Sequence, residues 1–142
     1  MAYSRQAGND FSDGGFLTEK GWYHLIVMSI EDPDPSSTGV AFEVRCEVLA
    51  GSVAGQEGKS IRLRFNEPML SHKDGGKFAA KCIDRFAIAV GLLLESEAGK
   101  NYAIDNSIKG RHFVAHLVDK LDQQKQPTGY LQVDGAATYH VD

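Results

Sequence analysis

The chain has 142 residues, of which 42% are hydrophobic and 24% charged, and carries a net charge of −4 at pH 7. That is one domain's length with an ordinary globular balance, large enough to bury a core of its own. No apolar run approaches the ~20 residues a spanning helix needs, the two cysteines are too few for a disulfide framework, and the overall acidity counts against a surface that attracts nucleic acid everywhere.

Residues 1–15, MAYSRQAGNDFSDGG, are polar and glycine-rich and lack the apolar centre of a secretion signal. They are expected to form a mobile N-terminal arm, with Phe11 and Phe16 as candidate anchors, ahead of a single domain over 16–142 in a cytoplasmic protein. Gly21–Ile30, GWYHLIVMSI, reads as a strand that is apolar on both sides. The acidic, proline-bearing EDPDPSSTG that follows reads as an exposed connection. Next come two alternating runs. Val40, Phe42, Val44, Cys46 and Val48 share one face of the first; Ile61, Leu63 and Phe65 share one face of the second. Alternation of this kind marks half-buried strands, and Gly51, Gly55 and Gly58 mark the reversal between them. The opposite faces carry Glu43, Arg45 and Glu47, then Arg62 and Arg64.

After a loop over Asn66–Gly76, apolar residues recur at three- and four-residue steps from Lys77 to Leu94, which predicts a helix. Asp74 is placed to start it and Gly91 to loosen its last turn. Cys46 and Cys82 fall on the apolar faces of their elements and read as reduced core residues. Glu95–Lys109 is a polar connector. Arg111–Leu121 and Gly129–Val133 read as two further strands around a polar hairpin tip, and the tail DGAATYHVD is weakly specified. The expected order is therefore three strands, a helix and two strands. That is the order of a mainly β, five-stranded OB-fold-like Greek-key barrel, partly open, with one helix between the third and fourth strands.

No enzyme signature accompanies these elements. Gly58-Lys59-Ser60 resembles the end of a phosphate-cradling loop, but the glycine required five residues earlier is Val53, and a strand follows instead of a helix. His112 and His116 share a strand face without an acidic or cysteine partner motif. Ser71, His72 and Asp74 are neighbours in sequence, which is not the geometry of a triad. No catalytic residue, metal ligand or cofactor is assigned.

The charge is uneven. Residues 59–85 hold seven basic and three acidic residues, a net of +4, whereas residues 1–58 hold three basic and nine acidic. Binding to single strands needs cations for phosphates and exposed aromatics for bases. In an OB barrel the groove crosses the second and third strands and is walled by the 1–2 and 4–5 loops. The candidate contacts there are Arg45, Lys59, Arg62 and Arg64, with Lys120 and Lys125 at the 4–5 hairpin and Trp22, Tyr23 and Tyr130 as aromatic candidates. Trp22 and Tyr23 fit either core or stacking roles.

The stretches GWYHLIVMSIEDPD, FEVRCEVLAGSVAGQEGKSIRLRF, AAKCIDRFAIAVGL, IKGRHFVAHLVDK and GYLQV resemble an uncharacterised-domain family of phage and prophage proteins. The likeness covers about residues 16–135. It rests on the strand that runs through Val48 and Leu49 into Gly51 and Gly55, and on the strand entry Gly110–Ala115. The resemblance implies an OB-fold protein that binds single-stranded DNA in phage replication or recombination. The acidic loop Glu31–Ser37 departs from an ideal binder, and the chain ends TYHVD without the acidic run many bacterial single-strand binders use to recruit partners. The expectation is thus a non-enzymatic single-stranded-DNA-binding protein, with homo-oligomerisation left open and no membrane association. The alternatives are a module that binds a replication or recombination protein with little DNA affinity and, third, a small barrel for carbohydrate or another ligand.

Overall fold

A computed structural model describes residues 2–7 and 15–141. Its elements are β1 (Gly21–Glu31), β2 (Val40–Gly51), β3 (Ser60–Asn66), α1 (Lys77–Ala89), a 3-10 turn at Asn106–Ile108, β4 (His112–Leu121) and β5 (Pro127–Tyr139). The five strands form one antiparallel sheet in the order β3-β2-β1-β4-β5. The mainly β class, the five strands and the helix between β3 and β4 agree with the sequence reading. The sheet is not closed: β3 and β5 are its edges, and no hydrogen-bonded ladder joins them among the described residues.

Alternation fixes the faces. Tyr23, Leu25 and Val27 of β1, Val44, Cys46 and Val48 of β2, Ile61, Leu63 and Phe65 of β3 and Phe113, Ala115 and Leu117 of β4 are all buried on the inner side. β1, apolar on both sides in sequence, is packed into the core on its inner side only. Its outer side leaves Trp22 and Met28 substantially exposed. The register shifts by one residue between Val27 and Ser29, a bulge that keeps both halves of this long strand in phase with the core.

The helix lies on the inner side and packs chiefly on β5, with β3 and β4. Phe86 is fully buried among Phe65, Phe113 and Phe42, with ring centroids 4.9, 5.3 and 6.2 Å away. Asp74 does start the helix: its carboxylate accepts from the Gly76 and Phe78 amides at 2.9 and 2.8 Å. The helix is shorter than predicted and ends at Ala89. Gly91 takes φ +79°, and the Gly91 and Leu92 amides donate back to Ile88 and Ala87. This is a Schellman closure, which needs a left-handed residue and so stops the helix at the glycine. Leu93 and Leu94 belong to the following loop. No helix among the described residues is long and apolar enough to cross a membrane.

Two ends of the chain differ from expectation. The tail is ordered as strand through Tyr139; its weak pattern, DGAAT, reflects small residues beneath the helix, where the Cys82 thiol reaches the Gly135 carbonyl at 3.5 Å. At the N-terminal side, the expected arm over 1–15 and the anchor Phe11 fall largely outside the described residues. Phe16 forms an isolated parallel bridge with Ser60, but its own ring is exposed and it is Leu17 that is buried. The Leu17 amide donates to the Ser60 carbonyl and the Ser60 amide to the Gly15 carbonyl, at 2.8 and 2.9 Å, covering the start of the β3 edge.

The cysteines separate more than expected. Cys46 is fully buried, and burial pushes its thiol far above the ordinary range. Cys82 is only half-buried and shifted upward less strongly, again chiefly by burial. A thiol reagent added to the native protein should therefore modify Cys82 first, while Cys46 reacts only as the fold opens. Equal rates for the two thiols would contradict this packing.

Candidate nucleic-acid interface

The outer side of the sheet collects most of the side chains that the sequence singled out, in two groups. The first is cationic. Arg45 of β2 lies opposite Arg62 of β3 and Ser29 of β1, and Arg64 lies opposite Glu43. Arg62 reaches Glu31 at 3.4 Å and Arg64 bonds Glu43 at 3.1 Å. The acidic partners of the arginines are thus Glu31 and Glu43. Glu43 is itself buried, at 5% exposure, under the Arg64 guanidinium. Arg45 is exposed and has no ion-pair partner among the described residues. Two like charges facing each other across a ladder repel, so this pair favours an anion that bridges them.

The second group lies toward the other end of β1, roughly 23 Å away at ~3.3 Å per strand residue between Trp22 and Ser29. Trp22, 46% exposed, stacks on His116 at 4.7 Å and meets Tyr139 at 5.8 Å. His116 in turn bonds Asp134 at 3.0 Å. His24 sits beside this cluster and shares a 3.0 Å nitrogen–nitrogen hydrogen bond with His112. Tyr130, next to buried Leu131, stands outward and is 73% exposed. The hairpin lysines are near the same end: Lys120 is exposed at the end of β4, and Lys125 forms the turn with φ +62°.

Two candidates do not belong to this surface. Tyr23 is a core residue, 1% exposed, because alternation opposes it to its neighbour Trp22; its hydroxyl donates to the Glu19 carbonyl at 2.5 Å. Lys59 is half-buried and committed to the β2–β3 loop, where its ammonium donates to Gln56 at 2.9 Å. The structure also adds residues the sequence reading passed over. Tyr139 was in the unassigned tail, His24 was given no role, and His112 and His116 were read as sharing a strand face without a partner motif. The period of β4 already put His112 and His116 on one face; their pairing with β1 needed the register. Among the described residues no group of three or more His, Cys, Asp or Glu side chains is arranged to hold a metal ion.

No protein-family model matches this chain, and no curated protein matches it.

Arg64→Ala removes the only ion-pair partner of the buried Glu43 carboxylate among the described residues, so it should cost about 1–3 kcal/mol. Arg62→Ala, which frees a more exposed Glu31, should stay within about 1 kcal/mol. Urea titration checks both, and adding Glu43→Gln to Arg64→Ala should recover much of the loss. Equal costs for the two single changes would mean that the burial of Glu43 has no energetic weight.

Partial burial, and secondly the neighbouring His112, hold His24 below its ordinary value of 6.5. The fold thus favours neutral His24, and the unfolded chain takes up its proton first as pH falls. Stability from this group is complete above the ordinary value and declines as pH drops through 6.5 toward the lower folded value. Thermal melts from about pH 7.5 to 5.5 should show a shallower pH dependence in His24→Gln than in the unchanged protein. An identical or steeper dependence in that variant would refute the assignment.

Proposed function

We propose that this chain is a non-enzymatic protein that binds single-stranded DNA across the outer side of its sheet, within phage-type replication or recombination. The observation that carries the reading is the coexistence, on that one side, of the arginines of β2 and β3 and of exposed Trp22, Tyr139 and Tyr130. Cations neutralise phosphates and release counterions; aromatic faces stack bases without regard to sequence. A strand laid along β1 passes from Trp22, over His24 and Ile26, to Ser29 and Arg45. Its length suits several nucleotides, within the range of ~4–16 per OB fold.

The strand order supports the same reading. Joining β3 to β5 in the order β3-β2-β1-β4-β5 gives a five-stranded barrel, and α1 occupies the gap where that joint is missing. A partly open OB-fold Greek-key barrel has this character. The setting in phage replication or recombination rests on the resemblance of the sequence.

Fluorescence polarisation with a labelled oligonucleotide at low salt tests the proposal. Saturable binding to single strands is expected, weaker binding to duplex, and quenching of the single tryptophan on titration with unlabelled DNA. Arg45→Ala should weaken binding of all sequences alike and flatten the salt dependence by about 0.7 units per lost phosphate contact on single strands. Arg62→Ala with Arg64→Ala should reduce the slope by up to about 1.4 units, with the Arg64 stability cost measured alongside. The absence of saturable binding below about 100 μM, where even weak non-specific binders respond, would end this reading.

A further inference from the structure

The side of α1 that faces solvent borders a groove of about 410 Å³, closed on its other side by the loop after the helix. Its floor is apolar: Ala80 and Ile88 from the helix, then Leu93 and Leu94 from the loop. Leu94 is 63% exposed. One rim carries Lys77, Lys81 and Arg85, four residues apart and therefore stacked along one flank of the helix.

The two acids at the groove are already engaged. Glu95 bonds Arg85 at 2.6 Å, and Asp84 accepts the hydroxyl of Tyr102. Lys77 and Lys81 are exposed and have no ion-pair partner among the described residues. An apolar floor beside two uncompensated ammonium groups is complementary to a segment that offers leucine or phenylalanine next to aspartate or glutamate.

We infer that this groove docks an acidic, apolar-bearing peptide segment of another protein. It goes beyond the DNA-binding reading and does not depend on it. The helix lies on the inner side of the sheet, so its solvent side faces away from the outer side of β1, where Trp22 and Arg45 stand. Both surfaces can be occupied at once. The apolar floor is what separates this groove from a phosphate-binding stripe: a nucleic-acid backbone uses cations but has no use for exposed Leu94 beside half-buried Ile88.

Selection of random displayed dodecapeptides on the immobilised full chain tests the inference. Enriched peptides should combine Asp or Glu with Leu or Phe and, once labelled, bind saturably in polarisation assays. Their Asn and Gln counterparts should bind far less. Lys77→Glu with Lys81→Glu, and separately Leu94→Asp, should each weaken peptide binding by about tenfold or more, equal to about 1.4 kcal/mol. The milder pair Lys77→Gln with Lys81→Gln should lie between, and oligonucleotide affinity should hold in the Gln pair and in Leu94→Asp. The inference is overturned if no peptide is enriched, if the enriched peptides are neutral or basic, or if all three variants hold them as well as the unchanged protein. It is also overturned if an oligonucleotide competes with the peptide and loses affinity in both lysine variants, which assigns the groove to nucleic acid. Failure of the DNA-binding reading appears separately, as absence of oligonucleotide binding by the unchanged protein.

Discussion

The burial of Phe86 is the contact on which the architecture depends. No ladder joins β3 to β5 among the described residues, so the intrinsic twist of the sheet does not alone hold its two halves together. Phe86 does, because it touches Phe65 on the β3 edge and Phe113 on β4 at the same time. Burying an aromatic ring contributes on the order of 2–3 kcal/mol by area alone, and edge-to-face or tilted partners add to it. The inner sides of both halves of the sheet are drawn onto one helix. The arginines of β2 and β3 and the Trp22 cluster are then left on the outer side, so the location of the candidate interface follows from where the helix docks.

That outer side is organised by compensation. The arginines that alternation sends outward would repel one another without Glu31 and Glu43 among them, and the two acids leave Arg45 as the exposed cation without an ion pair. The acids do not cancel the reading of the surface; they orient it. A guanidinium bonded to a carboxylate keeps further donors for a phosphate oxygen, and a pair fixed by a buried acid loses less freedom when it binds. At the other end, Trp22 is held by His116, which is held by Asp134. Such a chain fixes the plane of the indole, and pre-set aromatic faces cost less to use.

Much of this was legible in the residues, for identifiable reasons. β2 and β3 were clear because charge and apolarity alternate without exception from Val44 to Val48 and from Ile61 to Phe65. The helix start was clear from Asp74. Its end was misjudged, since Leu93 and Leu94 continue the apolar spacing; the backbone conformation of Gly91 overrides that spacing. The later half of β5 was missed because Gly135, Ala136 and Ala137 are small where α1 passes, and a strand that is chosen for closeness lacks a hydrophobic pattern. The Trp22–Tyr23 pair exposed a different gap. Neighbours on a strand must point to opposite sides, so one ring had to be core and the other outside, yet which was which depended on the phase of β1 as a whole. The apolar residues Leu25 and Val27, in phase with Tyr23, hold that answer. The ion pairs of Arg62 and Arg64 needed the register between strands, and Glu31 reaches Arg62 only because β1 and β3 flank β2.

The net charge of −4 looks at odds with the proposed DNA-binding surface until the charges are placed. Nine of the acids precede residue 59 and lie largely in the N-terminal segment and the β1–β2 connection, or are engaged with arginines. At an ionic strength near 0.1 M, charges more than about 10 Å apart are largely screened from one another. A molecule of this width therefore presents separate local fields. The outer side has arginines toward one end of β1 and stacking rings toward the other, and the helix side has lysines next to an apolar groove. A polyanion needs only the first arrangement, and an acidic peptide with apolar side chains needs the second. The same overall acidity that weakens non-specific attraction to nucleic acid leaves each surface to be chosen by its chemistry: ring faces on one side, a hydrophobic groove on the other.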